Sequence, residues 1–118
     1  MSIVTKEQLL GRRVASKTTT AEVDGLGAVV LRYPMFAEWY GWVLEQNKYA
    51  GGTVPPSVIA GTIALCLANA DGSQMLSDSE ANELLDLEPL LVMRLYEVAK
   101  KVVLAASEDE AVEEAEGN

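Results

Sequence analysis

Leucine and valine recur at helical spacing late in the chain, and that rhythm is its plainest structural signal. Leu91, Leu95, Val98 and Val102 form one row, and Val92, Tyr96, Ala99 and Val103 form a second beside it. Residues three and four apart stack on one side of a helix, so the two rows together predict a wide buried face. Pro89 suits the first turn of this helix, where its missing N–H would go unused anyway. The pattern stops after Ala106. Phe36, Trp39, Tyr40, Val43 and Leu44 make another stripe and predict a helix over 35–47. Trp42 falls off that stripe, and two roles stay open for it: packing under the hairpin described below, or exposure as a contact residue. Between these helices, Val58, Ile59, Ile63, Leu65, Cys66, Leu67 and Ala70 cover much of a helical circumference, which predicts a central helix over 57–69. A buried strand across 62–68 competes, because short apolar runs look alike by periodicity. Gly61 lowers helix propensity there, which points either to a close neighbour or to simple tolerance.

Extended backbone is expected earlier. Thr18, Thr19, Thr20 and Val23 favour it, Asp24-Gly25 marks a turn, and Gly27 to Tyr33 is rich in Val and Leu. An antiparallel hairpin within 14–33 is the economical reading. Two strands alone are marginal, so one face must lie on helices. Thr5 with Gln8, and Ser77 with Glu80, have the spacing of capping boxes, each opening a short helix; Gly11 ends the first, and Ala81, Leu84 and Leu85 give the second its apolar side. The expected fold is α+β and mainly helical, with a small N-terminal β-hairpin packed on about four helices. One globular domain should span 1–107.

Charge changes the picture at the C-terminus. Eighteen acidic residues against nine basic ones give a net charge of −9, and six of the acids fall in the final run EDEAVEEAEGN, which holds no basic residue. Residues 108–118 are therefore expected to form a disordered acidic tail. It can serve as a solvating appendage, as an arm that steers toward basic partners, or as both. An acidic chain with scattered lysines and arginines is poorly suited to nucleic acid or to anionic membrane, so neither is an expected partner.

Candidate chemistry is sparse. The 118 residues include no histidine and one cysteine, so a zinc site and a Cys–His nucleophile are out of reach, and no disulfide framework exists within the chain. Cys66 reads as a small buried hydrophobe. Aligning Gly72 with the glycine of an EF-hand loop puts Leu67 at the first ligand position and leaves the bidentate glutamate missing, which argues against calcium. No glycine-rich phosphate loop is present. No cofactor, no metal and no enzymatic activity are expected. The start MSIVTKEQLLGRR lacks a secretory pattern, and VIAGTIALCLANA is too short to span a bilayer, so a soluble cytoplasmic protein is expected. Large rigid aromatics dominate protein interfaces, which makes Trp39, Trp42, Tyr49 and Tyr96 the candidate protein-binding residues.

From residue 59 onward the order of elements resembles the tail assembly chaperones of long-tailed, siphovirus-like bacteriophages and prophages. The resemblance is carried by an apolar helix leading to Asn69-Ala70-Asp71-Gly72, then Met75-Leu76-Ser77-Asp78-Ser79-Glu80, Leu84-Leu85, and the Leu91–Val103 helix with its acidic end. The D-G…L-[ST]-D spacing is its most specific part. Asn69 and Ser79 stand where acidic residues are commoner, and the Trp39-Tyr40-x-Trp42 cluster departs from the family pattern. The front half fits more loosely, with EQLL in an opening helix and Val29-Val30-Leu31-Arg32-Tyr33 running into Phe36-Ala37-Glu38. The resemblance implies a non-enzymatic protein of the host cell cytoplasm that coats the tape measure protein until tail tube subunits polymerise, and is then absent from the mature virion. The tape measure protein is the implied partner, with the tail tube protein a further candidate and self-association expected. Many such proteins also have a longer, frameshifted form, which only the gene would reveal. The competing reading is another phage protein-binding module, such as a tail completion or minor structural subunit.

Overall fold

The computed structural model describes residues 2–10 and 17–107. The expected tail over 108–118 and the helix stop at Gly11 lie outside the described residues. The fold is α+β, a small antiparallel sheet set against helices.

A short helix α1 (Lys6–Leu10) opens the chain. Its cap is the expected reciprocal pair: Gln8 N–H donates to Thr5 Oγ1 at 3.2 Å and Thr5 N–H to Gln8 Oε1 at 2.8 Å. α1 buries none of its residues. The hairpin follows as β1 (Thr18–Val23) and β2 (Gly27–Arg32), in a register that sets Thr18 opposite Arg32 and Val23 opposite Gly27. Its turn needs glycine: Leu26 N–H donates to Val23 O at 3.0 Å, and Gly25 takes φ +85° in the position where a type II turn requires a positive φ. Arg94 Nη1, from the last helix, donates to Asp24 O at 3.0 Å and holds the turn against the body.

A third strand joins the hairpin. The central helix α3 (Pro56–Cys66) ends three residues before the expected Asn69, and Leu67–Ala68 forms β3 alongside Val30 and Leu31 of β2. The helical and strand readings of 62–68 were each right for part of the run. Leu67 leaves the helix at ψ 126°: its N–H still donates to Ile63 O along the helix, while its carbonyl accepts from Met75 N–H at 3.1 Å on the returning side. The chain then doubles back through a tight loop in which Asn69 N–H donates to Ser73 O at 2.8 Å and Gly72 takes φ +90°. Ala68 bridges Gln74 on the returning side, which leaves the short third strand flanked by its own continuation.

The segment expected as one short helix divides in two. α4 (Asp78–Ala81) opens on the Ser77–Glu80 capping box, with Glu80 N–H to Ser77 Oγ at 3.3 Å and Ser77 N–H to Glu80 Oε1 at 3.0 Å. A tighter 3-10 turn, Asn82–Asp86, follows and buries Leu84, while Leu85 stays largely exposed. Pro89 then starts α5 (Pro89–Ala105), as its sequence predicts.

The core sits where α3 and α5 cross beneath the sheet. Ile63, Cys66, Ala99 and Val103 are sealed from solvent, and Val23, Leu31, Leu67 and Leu95 close around them. Small residues at the crossing let the two helices approach closely: Cys66 Sγ lies 3.6 Å from Ala99 O and donates to it. Both predicted rows of α5 are used. Val92, Leu95, Tyr96, Ala99, Val102 and Val103 are buried, with Leu91 and Val98 half-buried at the edges.

Candidate functional site

The helix α2 (Phe36–Asn47) has a composition as apolar as a core helix, yet it buries no residue. Its stripe does not lie flat on the body as a core stripe would. Phe36, Tyr40 and Leu44, four residues apart, run along the outer side and are 74%, 48% and 50% exposed. Trp39 is half-buried beside them. The rings form a small cluster, with Phe36 stacked on Tyr40 at a centroid distance of 5.7 Å and Trp39 6.1 Å from Phe36. Trp42, the residue off the stripe, is what seats the helix. Its indole Nε1 donates to Thr62 Oγ1 at 2.9 Å, and that buried hydroxyl donates in turn to Val58 O at 2.8 Å. One tryptophan thus anchors α2 to α3, with Trp39 and Val43 half-buried and Phe36, Tyr40 and Leu44 left outside.

The other fastening is electrostatic. Arg32, at the end of β2, makes a two-pronged ion pair with Glu38 in the first turn of α2, Nη2 to Oε2 at 2.6 Å and Nη1 to Oε1 at 3.2 Å. Glu38 Oε1 also accepts the backbone N–H of Met35 at 3.0 Å, so the same carboxylate caps the helix. The Arg32 guanidinium, foremost by hydrogen bonding, holds the Glu38 carboxyl below its usual value, with burial opposing it and the Met35 amide adding to it. A buried strand-end arginine clamped to a helix-start glutamate fixes the angle at which α2 leaves the sheet.

Beside α2, a groove runs over α3. One cleft of about 330 Å³ is lined by Trp42 and Glu45 on one side and by Val58, Gly61 and Leu65 below. A second, of about 270 Å³, reaches toward Asp78, Ala81 and Asn82 of the opposite wall. The two share Glu38, Ser57, Gly61 and Leu65. A side chain at Gly61 would meet nothing within 4 Å among the described residues, so the glycine leaves the groove open.

The predicted site residues fall in different places. Trp39, Trp42 and Tyr49 gather on α2 and the turn that ends it, all half-buried. Tyr96 does not belong with them: it is 6% exposed in the core face of α5, with Lys100 Nζ 5.1 Å above its ring. Its place in the second α5 row, which the sequence shows, is what puts it inside, so it presents no ring to a partner. Phe36, Tyr40 and Leu44 were missed as surface residues. The signal for them was present: with Trp42 also apolar, α2 has more large apolar side chains than one buried face can hold.

Burial pushes the Cys66 thiol up to about 12, which leaves it protonated and unreactive. The loop carboxylate of Asp71 accepts from Ser73 N–H at 2.9 Å, and hydrogen bonds from Ser73 hold it below the usual range. Among the described residues no group of three or more His, Cys, Asp or Glu is placed to hold a metal ion, and no helix is long and apolar enough to cross a membrane. No family model, curated protein or solved structure matches the chain.

Proposed function

We propose that the chain is a tail assembly chaperone of a long-tailed bacteriophage, and that it shields the tape measure protein in the host cytoplasm until the tail tube forms. The observation that carries this reading is α2, an amphipathic helix whose outer row, Phe36–Tyr40–Leu44, is exposed and backed by the half-buried Trp39. A tape measure protein is a long, largely helical chain whose apolar stripe needs cover before assembly. A rigid aromatic row supplies that cover at low entropic cost, since each ring has few torsions to freeze. The motif residues of the resemblance support it as well. Arg32 and Glu38 form the ion pair that presents α2, and the Asp71-Gly72 and Ser77–Glu80 elements close the loop and cap the helix that follow α3.

The test is co-expression with a tape measure protein, followed by pull-down and by inspection of purified particles. A soluble complex, absent from finished particles, is the expected result. A chain that ignores the tape measure protein overturns the reading, and one that remains in particles as a stoichiometric component is a structural subunit and not a chaperone.

A further inference from the structure

We infer that the groove over α3 is a docking trough for a cationic amphipathic helix of another polypeptide. The inference rests on the reading above only in taking the partner to be helical.

The floor selects for a helix. Ser57, Gly61 and Leu65 lie on one line of α3, spanning about 12 Å or two turns at 1.5 Å per residue. The missing Cβ at Gly61, with open space within 4 Å, lets a partner backbone come close at the centre of the line. Trp42 on one wall and Leu65 on the floor, both half-buried, present apolar surface to the partner's seam. α3 offers no free strand edge here, so an extended peptide would leave its own backbone groups unsatisfied, whereas a helix arrives with them paired.

The walls select for positive charge. From Tyr49 to Met93 the chain carries Asp71, Asp78, Glu80, Glu83, Asp86 and Glu88 and not one lysine or arginine. Glu38, at the groove's middle, is already neutralised by Arg32 and asks for no cation. Glu45 on the α2 wall and Asp78 on the opposite wall do the selecting. Among the described residues Glu45 is bridged by Lys48 alone, at 3.0 Å and with both groups exposed to water, a pair that an incoming cation displaces at little cost. The partner therefore carries small or apolar residues along its seam and Lys or Arg on both flanks.

Two synthetic helical peptides sharing an Ala/Leu seam, one flanked by lysines and the other by glutamates, test this by calorimetric titration into the whole protein. The lysine peptide should bind, weaken as salt rises, and exceed the glutamate peptide by at least roughly tenfold, as opposite charges across an interface imply. Gly61→Leu fills the trough and should abolish that binding with the fold retained by circular dichroism. Glu45→Lys, which leaves the floor untouched, should weaken it and flatten the salt dependence. Equal binding of the two peptides, or undiminished binding to a folded Gly61→Leu, overturns the inference. Loss of binding on Tyr40→Ala but not on Gly61→Leu moves the contact to the outer row of α2, which removes the trough and leaves the chaperone reading standing. A lysine peptide seated in the trough of a protein that ignores its tape measure protein does the reverse.

Discussion

α2 and α5 are both amphipathic helices rich in large apolar residues, and they end up in opposite circumstances. α5 buries six residues and is crossed by α3 with a sulfur-to-carbonyl contact at its centre. α2 buries none and is held by one indole hydrogen bond and one ion pair. The difference lies in what surrounds each helix. The sheet and α3 cover two adjoining rows of α5, whereas α2 is fastened to the flank of α3 and to the end of β2. An apolar stripe thus states that surface must be covered without stating by what. In α5 the cover is the chain itself; in α2 it is proposed to be another protein.

Substitutions can break this contrast. The largest expected effect is in the core: Leu95→Ala should cost about 3–4 kcal/mol in urea unfolding, the usual penalty for emptying a buried leucine site. Arg32→Ala should come next, at about 2–3 kcal/mol, because it strands a half-buried carboxylate and frees the start of α2. Tyr40→Ala should cost under about 1 kcal/mol of stability yet about 2 kcal/mol of binding to the tape measure protein, in the manner of an interface anchor. If its stability loss instead rivals that of Leu95→Ala, the outer row of α2 is core and the contrast collapses.

Acid should act on the fastening of α2. Because the Glu38 carboxyl is held below its usual 4.5, its contribution to stability is complete above that value and is lost as pH falls through the lowered one. Urea midpoints measured from neutral pH into the acid range should therefore fall more steeply for the wild type than for Glu38→Gln. A slope remains in the variant from Asp71 and Glu80, both also held low by hydrogen bonds and of the same sign. Parallel curves would detach Glu38 from the acid response. The smallest effect is a gain: Gly61→Ala should raise stability by roughly 0.5–1 kcal/mol, since alanine favours helix and nothing crowds the site. A loss there would mean that the glycine serves the fold and not the groove.

Much of the architecture was legible because local rules and global packing agree. The turn at Asp24-Gly25, the two capping boxes, Pro89 at the start of α5 and its two buried rows are all local patterns that the fold keeps. β3 was only half legible. Periodicity reports that Leu67 and Ala68 are buried, but the choice of strand over one more helical turn is made by Val30 and Leu31, more than thirty residues earlier. The site was less legible still, since exposure depends on which helix takes which seat. Trp42 looked like the odd residue on α2 and proves to be its anchor, because its partner Thr62 lies on another helix. Arg32 and Glu38 could be noted as motif letters, but only the path from β2 into α2 brings guanidinium and carboxylate within 2.6 Å.

The thiol of Cys66 turns the α3–α5 crossing into something that can be watched. Sealed against a carbonyl of the opposing helix and protonated at any ordinary pH, it should ignore thiol reagents while the two helices stay together. Labelling then occurs only when they part. The rate of that single reaction therefore clocks how often the protein's centre opens, and whether a bound partner quiets it.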